Sequence, residues 1–460
     1  MNLSRIIKLV VMIALVFLLT TSPLMHHQAI ASVDVTRTGA WVDSITMKTV
    51  PPHQIFDQIK DGNIDIYSSS IPLNQVENIQ NDPSIDLSTG NSLYYEYTLN
   101  PAVFTDTGQI NPFSVAKIRE ALNWLVDRDY LNQLIYSGLA MEKYFPITTG
   151  FPDYVRYADK VQELESYYAY NPSLAETTIN SEMLTLGAEK TNGIWHYNSQ
   201  PVVIKFIIRK DGDGLRIPMG DYLADQLEII GFDTNRQYLT SNQARPYWLE
   251  SDPAEGSWHI YTGAWSGTVL DRDQADRFQL FDSPDSSFYS LEKLRQAYNP
   301  SPEYSLIMTK LATNNISSLE ERDTLFEEAL EMSMQFAVRI WLLDGKQVNI
   351  RRATTTISNE IAAGIDTSLW PFTVRFRNSE GGNLKIGSPD FFIDAWNPIA
   401  GSEWAFDWWP NRATSDYAFM PHPTTGLNMP QRVEKAEVTV LTGSTMQVTD
   451  NWVSLNFVDE

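Results

Sequence analysis

Cysteine is absent from this sequence of 460 residues. Its absence excludes a disulfide framework, a thiol nucleophile, a thiolate zinc site and a cysteine-ligated iron–sulfur cluster. Histidine is scarce, and no two of the six are spaced as in a zinc-protease helix. The sequence also lacks a G-x-S-x-G elbow, a phosphate-binding loop and a dinucleotide fingerprint. We therefore expect no catalytic residue, no metal site and no cofactor.

Basic residues are few. The sequence has 34 Lys and Arg but 57 Asp and Glu, which gives a formal charge of −23. Nucleic-acid binding needs clustered cations to neutralise phosphates, so a nucleic-acid partner is excluded. Anionic lipid headgroups would repel the same field. Aromatic residues, in contrast, reach 12% and include 13 Trp. A large aromatic core accounts for most of them.

Long apolar runs are missing except near the amino terminus, where residues 9–19 are uninterrupted and apolar. Arg5 and Lys8 precede this run, and the small-x-small pattern of residues 29–31 follows it. Eleven residues are too few to span a bilayer comfortably, so residues 1–31 predict a cleaved signal peptide, with an uncleaved anchor as the alternative. We expect an extracytoplasmic protein that carries no cysteine-linked lipid.

The remaining chain predicts an α/β protein of about two to three domains. Strands at residues 44–50 and 64–67 flank a helix at 53–60, and a helix with Ser114 as its cap is predicted over 115–137. Further helices are predicted at 174–186, 219–230 and 319–336, and further strands at 93–99, 202–209, 259–262, 338–343, 436–441 and 452–458. From about Lys385 onward, helix signals are few.

The run WHIYTGAWSG, residues 258–267, is the main positive signal for a ligand pocket. Gly263 and Gly267 would let the backbone approach a ligand beside Trp265, although an aromatic core strand explains the run equally well. Two acidic clusters resemble calcium-binding loops in composition. The first has Leu215 at a position where a calcium loop needs an oxygen ligand, so we expect both clusters to be solvated turns. The clusters are Asp211, Asp213 and Asp221, and Asp271, Asp273 and Asp276.

Several motifs, in order, resemble the extracytoplasmic solute-binding proteins of ABC importers, specifically family 5, which binds peptides, dipeptides and nickel. The most specific is NPF with KIREALN and DRD, which is similar to the family's P-F and V-R-x-A-L-x-x-x-x-D-R signature. The matching segments are IFDQIKDGNIDI (55–66), Asn100-Pro101, NPF (111–113), KIREALN (117–123), DRD (127–129), ADQLEIIGF (224–232) and the strand leading to Trp265.

This resemblance implies a two-lobed periplasmic-binding-protein-like fold with mixed β-sheets. Residues 32–100 and 351–460 would form the first lobe, and residues 101–350 the second, ligand-holding lobe. In the family, a tryptophan and an aspartate hold the ligand. The ligand-binding candidates here are accordingly Trp265, Asp271, Asp273, Tyr261 and Asn100. The implied partners are a peptide or other small solute and the permease subunits of an ABC transporter.

The order of segments departs from the family, because residues 383–389, 394–398, 416–417 and 425–426 resemble its usual opening. We interpret this as a permuted branch in which one lobe is incomplete at the carboxyl-terminal end. Two alternatives to a solute receptor stay open. One is a secreted carbohydrate-active enzyme that uses a carboxylate pair, and the other is an incomplete relative that binds nothing.

Overall fold

A computed structural model describes residue 37 and residues 39–459, apart from 72, 77, 78, 80, 106, 268, 287–290, 396, 398, 444–447 and 449. Within it, residues 41–460 form one compact unit. The predicted signal peptide, residues 1–31, lies outside the described residues. Among the helices that are described, none has both the length and the apolar character needed to cross a membrane.

The strands alternate with helices, as the pattern of the sequence predicts. The strands are β1 Ser44–Thr49, β2 Ile66–Tyr67, β3 Ile85–Leu99, β4 Met141–Glu142, β5 Glu189–Thr191, β6 Ile194–Tyr197, β7 Gln200–Pro201, β8 Val203–Arg209, β9 Asp233–Leu239, β10 Ile260–Ser266, β11 Arg339–Arg352, β12 Thr355–Thr356, β13 Arg375–Phe376, β14 Asn383–Ser388, β15 Phe419–Pro421, β16 Asn428–Pro430, β17 Ala436–Leu441 and β18 Val453–Val458.

The α-helices cover the sheet and connect its strands. They are α1 Ile55–Lys60, α2 Leu73–Val76, α3 Ala116–Leu125, α4 Arg128–Tyr136, α5 Pro152–Arg156, α6 Ala158–Tyr167, α7 Pro172–Thr185, α8 Arg216–Ile229, α9 Ser241–Trp248, α10 Arg277–Asp282, α11 Glu292–Gln296, α12 Pro302–Thr313, α13 Leu319–Phe336, α14 Trp370–Thr373 and α15 Ala405–Ala413.

One mixed sheet organises the molecule, in the order β1-β14-β2-β11-β3-β10-β8-β9, with β4 paired to β11. The first three strands run parallel to one another, and β10, β8 and β9 do the same at the other end. Between them, β11 and β3 pair antiparallel along almost their whole length. Both long strands are mostly buried, although each carries polar and charged residues as well as apolar ones.

Apolar packing divides the unit into a large core and two smaller ones. The large core uses side chains between residues 93 and 343. The smaller cores use side chains from residues 42–85 and 348–409. Because β3 and β11 contribute to both regions, they connect the cores covalently. The boundaries between these cores lie close to the lobe boundaries predicted at residues 100 and 350. The division into two lobes stays a prediction.

Two helix predictions need correction. The helix predicted over 115–137 is broken at Val126, and Asp127 caps the second half by accepting a hydrogen bond from the Tyr130 N–H at 2.9 Å. Its first half has Val115, not Ser114, at the cap position. The region after Lys385 contains helix α15, which the sequence did not signal because three aromatic residues and an internal proline obscure its period.

At Gly90, strand β3 passes close to the backbone of residues 362–364. A β-carbon at this position would collide with the backbone of Ala362 and Gly364. The backbone N–H of Asn91 donates to the Ala362 carbonyl at 2.5 Å, which holds the two segments together. Glycine is therefore required here by close backbone approach.

Helix α10 ends on a buried acid, Asp282, which accepts a hydrogen bond from the Tyr304 hydroxyl at 2.7 Å. Burial raises the pKa of Asp282 to about 7, although the nearby Arg339 and Arg119 guanidinium groups oppose the shift. The carboxyl group therefore stays protonated in the fold at pH values where it ionises in the unfolded chain.

We predict that Gly90→Ala lowers the free energy of unfolding by about 1–3 kcal/mol, because the backbone must move to admit the methyl group. Gly150→Ala is the matched control, since a β-carbon there meets no atom within 4 Å. Urea unfolding of both variants measures the difference. Equal stabilities for the two variants would contradict the close approach at Gly90.

We predict that Asp282 makes stability pH-dependent. Its pKa is higher in the fold than its ordinary value of 3.8, so the folded chain binds more protons between about pH 4 and 7. Its contribution is therefore present at low pH and is lost as the pH rises through about 7. In urea unfolding, the stability of wild type relative to Asp282→Asn should fall across this window, by roughly a few kcal/mol. The exposed Asp285→Asn is the control, and a pH-independent difference for Asp282→Asn would refute the assignment.

Candidate functional site

A cavity of about 380 Å³ opens beside the centre of the sheet. Its wall is formed by β3, β10, the serines that follow β2, the loops at 209–216 and 267–277, and the start of helix α15. The volume lies at the lower end of the range typical of small-molecule sites, about 300–1,000 Å³. Strand ends and loops from distant parts of the sequence therefore meet at one concave surface.

Trp265 is half-buried on this wall, near the end of β10. Its indole N–H donates to Glu96 Oε1 at 3.3 Å. The ring packs edge-to-face on Phe281, with centroids 5.0 Å apart, and the Arg339 guanidinium lies 5.4 Å from the ring centroid. These contacts fix the ring orientation, so the indole is a rigid part of the cavity wall.

A buried ion pair adjoins Trp265. Glu96 and Arg339 are 1% and 4% exposed, and Arg339 Nη1 lies 3.2 Å from Glu96 Oε1. The Thr98 hydroxyl donates to the same oxygen at 2.7 Å. Burial raises the pKa of Glu96 against the opposing effect of Arg339. Glu96 lines the cavity, and its Oε2 has no hydrogen-bond partner among the described residues.

Gly263 has a different role from the one predicted. It pairs with Glu96 across β10 and β3, and a β-carbon there would collide with Glu96 Oε1. The glycine therefore makes room for a buried carboxylate, not directly for a ligand. Gly267 packs against Ser92, whose Cβ would lie 3.1 Å from an added β-carbon.

The two candidate aspartates separate in the structure. Asp271 lines the cavity and forms an ion pair with Arg277, which also lines it. Asp273 does not line the cavity. Its side chain is 62% exposed and contacts Arg322 at 2.8 Å. Of the two acids, only Asp271 lies on the cavity wall that also carries Trp265.

Tyr261 lies on the cavity wall, but Asn100 does not. The Tyr261 ring stacks on Trp248 at 3.9 Å between centroids, and its hydroxyl oxygen accepts a hydrogen bond from Arg209 at 2.6 Å. Asn100 is completely buried, and its amide donates to the carbonyls of Pro253 and Trp258 at 2.9 and 3.0 Å. Asn100 therefore anchors a loop, and its contact with a ligand stays a prediction.

The acidic clusters of the sequence form contacts within the chain. Asp211 accepts from Arg209 at 2.6 Å, and Asp213 accepts from the Tyr95 hydroxyl at 2.5 Å. Within the part of the chain that the structure describes, no group of three or more His, Asp and Glu side chains is placed to hold a metal ion.

Sequence reasoning missed three parts of the wall. Glu96 gave a signal, because an acid stands among aromatic residues in a strand that reads as buried. Ser68–Ser70 and the segment from Glu403 to Trp408 gave none, because their place at the cavity depends on packing between distant segments.

Comparisons with solved structures agree with this fold. The oligopeptide-binding protein AppA from Bacillus subtilis, in complex with a nonapeptide, is 15% identical, with a TM-score of 0.50 and coverage of 66% of this chain and 55% of its own. NikA from Staphylococcus aureus, in complex with Ni(L-His)2, is 15% identical, with a TM-score of 0.53 and coverage of 71% and 60%. DppA from Helicobacter pylori, in complex with the peptide STSA, is 18% identical, with a TM-score of 0.52 and coverage of 71% and 56%.

These similarities concern the fold, and the chain spans about 55–60% of the length of these three proteins. They are binding proteins whose fold is mixed α/β with two lobes. No curated protein sequence matches this chain. The family model of the bacterial extracellular solute-binding proteins, family 5 Middle, matches residues 36–286, which is more than half of the chain. This chain therefore belongs to the family 5 bacterial extracellular solute-binding proteins.

Proposed function

We propose that this chain is an exported receptor that captures a peptide-like or other small solute and delivers it to an ABC importer. The observation that carries the proposal is the cavity of about 380 Å³ with Trp265 on its wall and the buried Glu96–Arg339 pair beside it. Membership of family 5 supports the same function. The complexes of AppA with a nonapeptide, DppA with STSA and NikA with Ni(L-His)2 give the range of ligands to test.

Capture would use closure of two parts of the fold over the solute. The cavity wall combines β10, from the large core, with the start of α15, from the smaller cores. Arg245 on α9 reaches across to the segment before α15, where Nη1 donates to the Ile393 carbonyl and to Asp394 Oδ1, both at 2.9 Å. This bridge would stabilise a closed arrangement.

A receptor fits the cavity better than a glycoside hydrolase does. Hydrolysis needs two carboxyl groups that flank the scissile bond, one to donate a proton and one to act as base or nucleophile. Three of the wall acids, Glu96, Asp271 and Asp366, instead each contact an arginine, and Asp213 is held by the Tyr95 hydroxyl and the Leu215 N–H. These ion pairs favour polar recognition over proton transfer.

The partners and the location belong to the same proposal. The receptor would work outside the cytoplasm after export by a leader at residues 1–31, and it would pass its solute to the permease subunits of the transporter. An incomplete relative that binds nothing is the competing interpretation. It predicts a folded chain that gives no saturable response to any solute.

We predict that Trp265→Ala weakens solute binding tenfold or more, which corresponds to about 1.4 kcal/mol, because the ring platform is lost. Tryptophan fluorescence of the purified chain, titrated first with a mixed di- to pentapeptide pool and then with an oligosaccharide pool, measures affinity. Trp452→Ala is the matched control, because that residue lies outside the cavity and packs on Phe419. Unchanged affinity in Trp265→Ala would remove Trp265 from the site.

We predict different effects for the two candidate aspartates. Asp271→Asn removes the carboxylate that pairs with Arg277 on the wall, so it should weaken binding of the same solute at least fivefold. Asp273→Asn should leave affinity unchanged, because that side chain lies outside the wall. The same fluorescence titration compares them, and equal effects would contradict the placement of Asp271.

A further inference from the structure

We propose that two buried acids outside the cavity, Asp153 and Glu360, hold the wall loop at residues 270–277 in place and thereby set the affinity of the receptor for its solute. This inference rests on the proposed receptor function and adds two positioning residues to the same site. Neither acid lines the cavity, so both act through the loop.

The wall loop, residues 270–277, contributes the charged pair Asp271 and Arg277 and the side chain of Gln274 to the cavity wall. It connects strand β10 to helix α10 and begins after the strand has ended. Because no sheet pairing holds this stretch, its backbone N–H groups need other partners. Two of these partners are buried carboxylates.

Asp153 lies on helix α5 and is completely buried. Its Oδ2 accepts a hydrogen bond from the backbone N–H of Gln274 at 2.6 Å. Its Oδ1 accepts from Arg156 at 2.9 Å and lies 3.5 Å from the Arg322 guanidinium, so both oxygens are occupied. The Gln274 carbonyl in turn accepts from the backbone N–H of Arg277 at 3.1 Å. Asp153 therefore fixes the backbone from which the wall arginine extends.

Glu360 is 1% exposed and contacts the other end of the loop. Its Oε1 accepts from the backbone N–H of Leu270 at 2.9 Å, and its Oε2 accepts from that of Ala363 at 2.8 Å. Burial raises the pKa of Glu360, and these backbone donors oppose the shift. A buried carboxylate costs free energy unless strong donors reach it, and N–H groups that donate to an ionised oxygen are such donors. The loop N–H is therefore one of the contacts on which this buried charge depends.

The two contacts bracket Asp271, because Leu270 directly precedes it and Gln274 lies three residues after it. The contact of Asp273 with Arg322, on the outer side of the loop, adds little, since the Asp273 side chain is 62% exposed. The two buried acids thus anchor the loop backbone from outside the loop. A solute that reaches Asp271 meets a group whose position is fixed before binding, and such preorganisation raises affinity.

Variants of the same shape test the two acids. Asp153→Asn and Glu360→Gln remove the charge and replace one accepting oxygen with an NH2 donor, so neither side chain can satisfy both of its contacts. Asp65→Asn is the matched control, because Asp65 is also buried and accepts from a backbone N–H, that of Lys385 at 2.9 Å, and from Arg352 at 3.1 Å. Asp65 does not line the cavity.

Two measurements on the full chain compare the variants. Hydrogen–deuterium exchange, resolved to single residues, follows the Leu270 and Gln274 amides. Tryptophan fluorescence, titrated with the peptide pool and the oligosaccharide pool, gives the apparent Kd for the pool that binds. In Asp153→Asn we expect faster exchange at Gln274, and in Glu360→Gln at Leu270. In both variants the exchange rate and the Kd should rise about tenfold, the effect of one buried charge-assisted hydrogen bond. Asp65→Asn should change neither.

A double variant separates positioning from a general loss of stability. If Asp153 acts through Asp271, then Asp271→Asn should raise the Kd by a smaller factor in the Asp153→Asn background than in the wild type. Effects that simply multiply would overturn the inference. The wild type supplies a test that does not depend on the folding of any variant, since its Leu270 and Gln274 amides should exchange about tenfold more slowly than the amide of the exposed Arg272. Equal rates would also overturn the inference.

The outcomes distinguish failure of the inference from failure of the receptor function. Saturable binding by the wild type, with an unchanged Kd in the folded Asp153→Asn and Glu360→Gln variants, would overturn the inference and leave the receptor function standing. Silence of the folded wild type towards both pools would contradict the receptor function and the effect on affinity. Exchange at the two amides would then decide by itself whether the acids hold the loop.

Discussion

The pairing of β3 with β11 is the constraint on which the other features depend. These strands are 15 and 14 residues long and pair antiparallel through the middle of the sheet. They contribute side chains to the large core and to one of the smaller cores. Two register shifts interrupt the pairing, at Trp341–Leu343 and at Gly345–Gln347. Such irregularities bend a strand and re-aim its side chains. The cavity lies beside this part of the pair.

The buried Glu96–Arg339 pair follows from the same pairing. Arg339 stands opposite Thr98, so its guanidinium reaches the carboxylate two residues away on β3. On the other side of β3, Gly263 of β10 stands opposite Glu96 and leaves space for it. Removal of either charged partner would leave the other buried and unpaired, which is strongly destabilising. The pair is therefore both a structural element and a wall of the site.

Family membership identifies the fold of this chain, whereas the choice of solute depends on the side chains of the cavity wall. The family model and the solved relatives establish a solute-binding fold, at identities of 15–18% for those relatives. A fold shared at this distance does not choose a solute, because the chemistry lies in the side chains of the wall. In this chain the wall joins charged side chains, serine hydroxyls and three half-buried tryptophans, Trp265, Trp404 and Trp408.

Local pattern in the sequence was enough to predict many elements. The helix at Leu319–Phe336 and the strand at Val203–Arg209 were predicted to within a residue, since each repeats its apolar positions over a continuous segment. The break at Val126 was missed, because the sequence pattern continues through Asp127. Only the structure shows that the Asp127 side chain caps the second helix. Helix α15 was missed because aromatic residues conceal its period.

By itself, the sequence determined the α/β class and the family, because these depend on residue types and short-range spacing. Only the tertiary structure decided which residues share the cavity. It placed Asp271 on the wall and Asp273 outside it, and it used Asn100 as a loop anchor. It also joined Glu96 to Arg339, 243 residues away. Contacts across such separations depend on strand register and packing, which no local pattern encodes.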